Sequence, residues 1–345
     1  MADEQTWSPK HNPWVICVPL MVAAFMFVLD ETIANVALPY MAGSFSVSNQ
    51  ESTWVLTSYL IASGIIIPSV DFFSKLMGRK NFLISAIGVF TIASLLCGLA
   101  TSLPVMVLTR ILQGLGGGAI LPLAQSMMLE LFPVEKRAQS MALFGLVVVI
   151  APIIGPVVGG WITTNWSWPF IYFINVPIGI VAVGLAKKYV EDPPYARKQQ
   201  NVTIDGAGFF TLTLWLTCMQ VVLDKGNDAD WFGSTWVCWL TFFAVVFAVW
   251  FFYIQMTKKD SLVDLKVFKD ANFSLGTFVQ IIMQGVLLSS MTILRQFLQG
   301  LMGYDAYLSG LAMMPRGIGA LTTVIFIGTI GSKISPKILV IIGMS

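Results

Sequence analysis

The chain has 345 residues, 56% of them hydrophobic and 11% charged, with a formal net charge of +2. Ordinary soluble domains carry about 25% charged residues, so the composition excludes a soluble fold and a basic nucleic-acid-binding surface, and indicates a polytopic membrane protein. With one histidine, His11 in the N-terminal tail, and cysteines only at 17, 97, 218 and 238, the chain holds no nucleophile-base set or metal-ligand cluster. No enzyme activity and no cofactor is expected.

Apolar runs of about 17 to 25 residues each suffice for one span. Ten complete runs follow one another at 14–39, 53–73, 82–101, 104–129, 138–162, 169–187, 207–223, 235–255, 273–293 and 308–330, and an eleventh starts at Pro336 and breaks off at Ser345. The first run has no small-residue cleavage site, so it is expected to be a retained helix and not a secretory signal. If the N-terminus is cytoplasmic, about 16 of the 20 Lys and Arg residues fall on the inner side, the asymmetry that sets orientation in polytopic proteins. They are Lys10, Lys75, Arg79, Lys80, Lys136, Arg137, Lys187, Lys188, Arg197, Lys198, Lys258, Lys259, Lys266, Lys269, Lys333 and Lys337. Lys225 is expected in an outer loop, with Arg110, Arg295 and Arg316 in or near the outer ends of spans.

The first span carries two adjacent acids, Asp30 and Glu31, inside an otherwise apolar run. An intramembrane ionisable residue is a functional-site candidate by default. With an outer end near Pro39, Asp30 lies about 14 Å below that end at about 1.5 Å per residue. Arg110 of the fourth span, counted from Pro104, lies about 9 Å below the same face. If both point inward, a carboxylate that pairs with the guanidinium in one state and loses it in another can carry a proton across the membrane. A static buried ion pair that pins the two helices is the alternative. Glu31, about 100° further round the helix, cannot share the face of Asp30. Either it attracts cationic substrates or titrates with Asp30, or it is a carboxylate hydrogen-bonded to a neighbouring helix or protonated outright. Gln113, three residues after Arg110, could orient the arginine or touch substrate.

Between the second and third spans, Asp71 and Lys75 are spaced to pair along a helix end, ahead of Gly78, Arg79 and Lys80. They form either a conformational latch or ordinary positive-inside anchoring. In the fourth span, Gly114 to Gly118 lacks the lysine of a phosphate-binding loop and signals helix packing. The fifth span sets Ala151, Gly155 and Gly159 on one stripe, beside Pro152 and Pro156 and followed by Gly160. Small residues at that spacing let backbones approach, and prolines permit bending, so a close-packed joint is expected. Arg316, after Pro315, is a secondary candidate for substrate or proton work. The segment Ser332 to Ile338 repeats Ser74 to Lys80 at a shift of 258 positions, so spans nine to eleven are expected to repeat spans one to three.

The segments LDETIANVALP at 29–39, GRK at 78–80, RILQGLGGGAILP at 110–122, APIIGPVVGGWI at 151–162 and FINVPIGI at 173–180 together resemble the major facilitator superfamily. Within it, they are similar to the fourteen-helix drug/proton antiporters of the EmrB/QacA type. LDKGNDADWFGS, LVDLKVFKDANFSLG and GLAMMPRGIG extend the resemblance to the EmrB branch. Two positions depart from the family loop pattern: Lys75 stands where many relatives have an acid, and Asp71 where the first glycine is usual.

The resemblance implies an all-α fold of two six-helix bundles with two linking helices. Residues 1–204 would form the N-terminal bundle, 205–257 the linking pair, and 258–345 the start of a C-terminal bundle. With fourteen spans expected and ten complete ones present, the chain is expected to be C-terminally incomplete, a partial sequence. The resemblance implies proton-coupling roles for Asp30 and Arg110, and an outer seal at Ala151 to Gly160. It also implies proton-coupled efflux of hydrophobic drugs and toxic compounds across a bacterial inner membrane, with a periplasmic adaptor protein and an outer-membrane channel as partners. Two alternatives stand beside this: an exporter of one metabolite, such as a siderophore, fatty acid or organic acid, and a non-transporting fragment.

Overall fold

The computed structural model describes residues 9–198, 205–258, 262–304, 306–330 and 343, and among the described residues it contains helices and no strand. Eight of these helices are long and apolar enough to cross a membrane. They are α1 (Pro13–Phe45), α2 (Asn49–Met77), α3 (Arg79–Gly98), α4 (Leu103–Leu131), α5 (Val134–Asn165), α6 (Phe170–Tyr189), α7 (Gly206–Lys225) and α8 (Thr235–Thr257). Two more follow, α9 (Ala271–Gln296) and α10 (Ala306–Ile330). Each of the ten predicted spans therefore corresponds to one helix, the third ending at Gly98 instead of residue 101. The predicted eleventh span, the repeated basic segment at 332–338 and the side chain of Arg295 lie outside the described residues.

The chain divides into two compact units. The first comprises the described residues of Met1–Gln200 and Gly310–Ser345, the second those of Asn201–Ser309. In the first, α1 lies at the centre, packed on α5, α6 and the second half of α4, while α4 packs on α2 and α3. Leu20, Ala23, Met26, Phe27, Ile33 and Met41 are all buried, because a helix that is apolar all round finds its free-energy minimum inside a bundle.

Helix α1 does not stop at Pro39 as the sequence suggests. It continues to Phe45 and closes on Ser46, whose left-handed backbone (φ 54°) lets its N–H donate to Ala42 and Gly43 carbonyls. A proline inside a membrane helix gives up one backbone bond that its packed surroundings can compensate. The extension puts Asp30 about 22 Å from the end of α1 at about 1.5 Å per residue, so its depth is not given by the position of Pro39. Lys225 also departs from expectation: as the last residue of α7 it is buried, with Nζ 3.6 Å from the Asp224 carboxylate, and does not extend into an outer loop.

In the second unit, α7 and α8 form an antiparallel pair closed by one carboxylate. Asp205, the N-cap of α7, accepts hydrogen bonds from Gly208 N (3.1 Å), Gln255 Nε2 (3.0 Å), Lys258 Nζ (2.7 Å) and Leu262 N (3.3 Å). Burial pushes its carboxyl up, but the bonds from Lys258, Gln255 and Gly208 prevail and hold it below the ordinary aspartate range. A depressed folded-state value stabilises the fold above the unfolded-state value, and the contribution is lost as pH falls through the folded one. Asp205→Ala leaves these donors unpaired and should cost about 2 kcal/mol, read as a lower unfolding temperature at neutral pH that converges on wild type in strong acid. Trp239, Phe242, Val246, Val249 and Tyr253 on α8 are exposed, an apolar face suited to lipid.

Candidate functional site: a buried charge network

Asp30, Arg110 and Gln113 converge in the middle of the first unit, and glycines are what allow it. A Cβ on Gly114 would lie 2.5 Å from the Tyr59 carbonyl oxygen, one on Gly116 2.7 Å from Phe90 N, and one on Gly118 2.7 Å from the Ser63 carbonyl oxygen. The glycine run thus draws α4 into backbone contact with α2 and α3. On the other side, Gly179 of α6 lies so close to α3 that an added Cβ would clash with Thr91, and this approach carries Asn175 into the same centre.

The side chains of Asp30 and Arg110 are 1% and 0% exposed. Arg110 donates from Nη1 to Asp30 Oδ2 and to Gln113 Oε1, both at 2.7 Å, and from Nε to the Val55 carbonyl at 3.1 Å. Asp30 Oδ1 accepts from Gln113 Nε2 at 2.9 Å and from Asn175 Nδ2 at 2.7 Å. Ser94 Oγ accepts from Gln113 (3.2 Å) and Asn175 (3.0 Å) while donating to the Tyr172 carbonyl at 3.0 Å. The guanidinium carbon lies 4.1 Å from the ring centre of Tyr59 and 5.6 Å from that of Tyr172, positions that favour a desolvated cation. Among the described residues of the first unit, the buried side-chain atoms Ser58 Oγ, Tyr59 Oη, Arg110 Nη2 and Asn175 Oδ1 have no hydrogen-bond partner.

Such a pair adds little net stability, because desolvation offsets most of the attraction, yet removing one partner typically costs about 3–5 kcal/mol. Its chemical capacity lies in that imbalance: protonating Asp30 cancels one charge and frees the other. Gln113 has both ends of its amide engaged within the network, so in this conformation it orients Arg110 and Asp30. Glu31, next to Asp30 on α1, is half-buried; its carbonyl accepts from Asn35 Nδ2 at 3.1 Å, while its carboxylate has no hydrogen-bond or ion-pair partner among the described residues. Arg316 is half-buried in α10 and takes no part in these hydrogen bonds.

The network is larger than the sequence suggested. Asn175, Ser94, Tyr59 and Tyr172 were not singled out, although an asparagine within an apolar span is the kind of signal that marked Asp30. Nothing local distinguishes Tyr59, whose place is set by the helix it faces.

The fifth span is one unbroken helix through Pro152 and Pro156. Its small residues are contact points. A Cβ on Gly155 would reach 2.1 Å from Thr32 Oγ1, and one on Gly159 3.3 Å from Ile33 Cγ2. Ala151 and Gly160 are buried as well, and Gly160 offers its carbonyl to Thr163. The stripe thus rests on α1 within one turn of Asp30. Its other side receives α10, where a Cβ on Gly310 would meet Val157 at 3.3 Å and one on Gly317 would meet Ile153 at 2.0 Å.

At the opposite end of the bundle, Asp71 and Lys75 pair at 2.5 Å on an exposed helix end. Arg79 pairs with Glu130 of α4, whose carboxylate also accepts from Tyr195 Oη at 3.0 Å. Asp192 accepts from Lys80 N at 2.7 Å, capping α3, and burial pushes its carboxyl above the ordinary range despite that bond and the nearby Lys80 and Arg79 charges. His11 is exposed but paired, Nδ1 lying 2.7 Å from Glu191 Oε1. Gly78 makes the turn at φ +82°, where a Cβ would also sit 2.9 Å from Asp192 Oδ2. Gly78→Ala should therefore cost about 1–2 kcal/mol, visible as a lower unfolding temperature, whereas Gly184→Ala, with open space around it, should not destabilise.

A model of the Major Facilitator Superfamily matches residues 20–345. The chain is 37% identical over 327 residues to the fatty acid resistance protein FarB of Neisseria gonorrhoeae, covering 95% of this chain and 64% of that protein. It is 36% identical over 327 residues to the multidrug export protein EmrB of Escherichia coli K12, covering 94% of this chain and 63% of that protein. The chain thus spans about 64% of the length of the curated relatives it matches. Among solved structures it is similar to the proton:xylose symporter XylE, with a TM-score of 0.62 at 14% sequence identity, covering 92% of this chain and 69% of that one. That likeness is one of fold.

Proposed function

Because the chain belongs to the Major Facilitator Superfamily, we propose that the protein is a proton-coupled antiporter that exports hydrophobic drugs and toxic compounds across the bacterial inner membrane. Its N-terminus is cytoplasmic. The observation that carries this reading is the fully buried Asp30–Arg110 pair, set between α1 and α4 and in contact, through the residues after Asp30, with the α5 stripe. Asp30 carries the proton. Protonation releases Arg110, and the change of charge at the centre biases how α1, α4 and α5 pack. Glu31, half-buried and with a carboxylate that has no hydrogen-bond or ion-pair partner among the described residues, attracts cationic substrates, and Arg316 contributes a second polar contact. Ala151, Pro152, Gly155, Pro156, Gly159 and Gly160 hold the outer side closed, while Asp71, Lys75, Gly78 and Arg79 latch the inner side. The likeness to multidrug export protein EmrB supports the substrate class, and a periplasmic adaptor with an outer-membrane channel completes the route.

Cells lacking their own efflux pumps but expressing the protein should extrude a hydrophobic dye, and a protonophore should stop it. Extrusion that persists after the proton gradient collapses would contradict the proposal. A second reading, export of one metabolite such as a fatty acid, is favoured by the likeness to the fatty acid resistance protein FarB. It predicts protection against long-chain fatty acids with no protection against dyes.

A further inference from the structure

We propose that Asn175 of α6 is the positioning residue that registers the protonation state of Asp30, by turning its side-chain amide over when the carboxylate takes up a proton. This rests on the proton-coupling reading above and extends it to a residue on a third helix. In the present arrangement Asn175 Nδ2 donates to Asp30 Oδ1 and to Ser94 Oγ, while its Oδ1 is buried with no partner. That orientation is dictated by an ionised Asp30, which can only accept. The reversed amide would set oxygen against oxygen.

A protonated Asp30 inverts the requirement, because its new O–H needs an acceptor. On Oδ2 none is available, since that oxygen faces Arg110, which has donors only. On Oδ1 there are two neighbouring amides. Gln113 is held in place: its Oε1 accepts from Arg110 and from Cys97, and its Nε2 donates to Ser94. Asn175 alone of the two has an unused oxygen, and it sits on the same side chain as the donor that must leave. Reversal brings that oxygen to Asp30 Oδ1, and rotation of the Ser94 hydroxyl away from the Tyr172 carbonyl lets it donate to the same oxygen. The charged or titratable groups around the centre are Asp30 and Glu31 on α1, Tyr59 on α2, Cys97 on α3, Arg110 on α4 and Tyr172 on α6. The amides of Gln113 and Asn175 are the side chains that donate to Asp30 Oδ1. One proton on α1 thereby changes a hydrogen bond to α6 as well as the ion pair to α4.

Infrared difference spectra of the purified protein between alkaline and acidic buffer test this directly. A protonated-carboxyl band that disappears in Asp30→Asn should be accompanied by a side-chain amide carbonyl change. That change should shift when the protein is grown on asparagine carrying heavy carbon in its side-chain carbonyl, and be lost in Asn175→Leu. The Asp30 carboxyl band itself should move to higher frequency in Asn175→Leu, having lost its acceptor. Because the label enters all nine asparagines, Asn175→Gln in labelled protein serves as a second variant if Asn175→Leu fails to fold, and the label-sensitive change should be lost in it too. A carboxyl band without a label-sensitive amide change overturns the proposal for Asn175 and leaves proton coupling standing. Absence of any Asp30 carboxyl band overturns both.

Discussion

Asp30→Asn is expected to accumulate in the membrane at a level close to wild type while losing proton-driven export by at least about tenfold, an effect equivalent to about 1.4 kcal/mol or more in coupling. Asparagine reproduces the shape and the neutrality of a protonated aspartate. If protonated Asp30 is a state the protein visits in each cycle, the fold already tolerates it, and the substitution halts the cycle there. A static pair that only pins α1 to α4 predicts the reverse. Leaving Arg110 buried without its counter-charge would then cost about 3–5 kcal/mol, and the variant would be degraded or aggregate. Membrane yield by immunoblot and dye efflux, measured on the same cells, separate the two. Since Arg110 also bonds Gln113 and the Val55 carbonyl and faces the rings of Tyr59 and Tyr172, it keeps several favourable contacts when Asp30 becomes neutral.

The second large effect concerns packing. Gly114→Ala should destabilise the first unit by about 1–3 kcal/mol, the usual cost of overfilling a close-packed interior. The added methyl would lie 2.5 Å from the Tyr59 carbonyl oxygen and 3.2 Å from Ser63 N, and backbone atoms cannot rotate aside. Relief requires α2 and α4 to separate, which lengthens the Arg110 bond to Val55 and moves the guanidinium from the Tyr59 ring. Unfolding temperature in detergent should fall, and export should fall further than the surviving folded fraction accounts for. Gly88→Ala, at a helical position with open space, is the control and should be neutral or slightly stabilising, by about 0.5–1 kcal/mol.

Much of this was legible in the sequence because membranes constrain chains strongly. Run length and the scarcity of charge located ten helices, and the exclusion of charge from lipid singled out Asp30 and Arg110. Their meeting at 2.7 Å follows from the glycine spacing in α4, which was also visible. The end of α1 was misjudged because Pro39 looks like a terminator, and only its surroundings show that the helix can absorb it. Lys225 was assigned to a loop because charge near a span end suggests water, whereas its folded position beside Asp224 is buried. Asn175 was visible as a polar residue within an apolar span, but its meeting with Ser94 and Asp30 depends on how closely α6 approaches α3 at Gly179 and Thr91, a tertiary distance that no local pattern encodes. The Arg79–Glu130 and Asp192–Lys80 contacts are likewise products of chain reversal between distant segments, and neither acid was linked to its partner by spacing.

The most direct test of the central claim uses inside-out membrane vesicles energised to an acidic interior and followed with a pH-sensitive fluorophore. Adding a transported dye should release protons in wild-type vesicles and release none in Asp30→Asn vesicles matched for protein content. Equal proton release from both would contradict the assignment of Asp30 as the proton carrier.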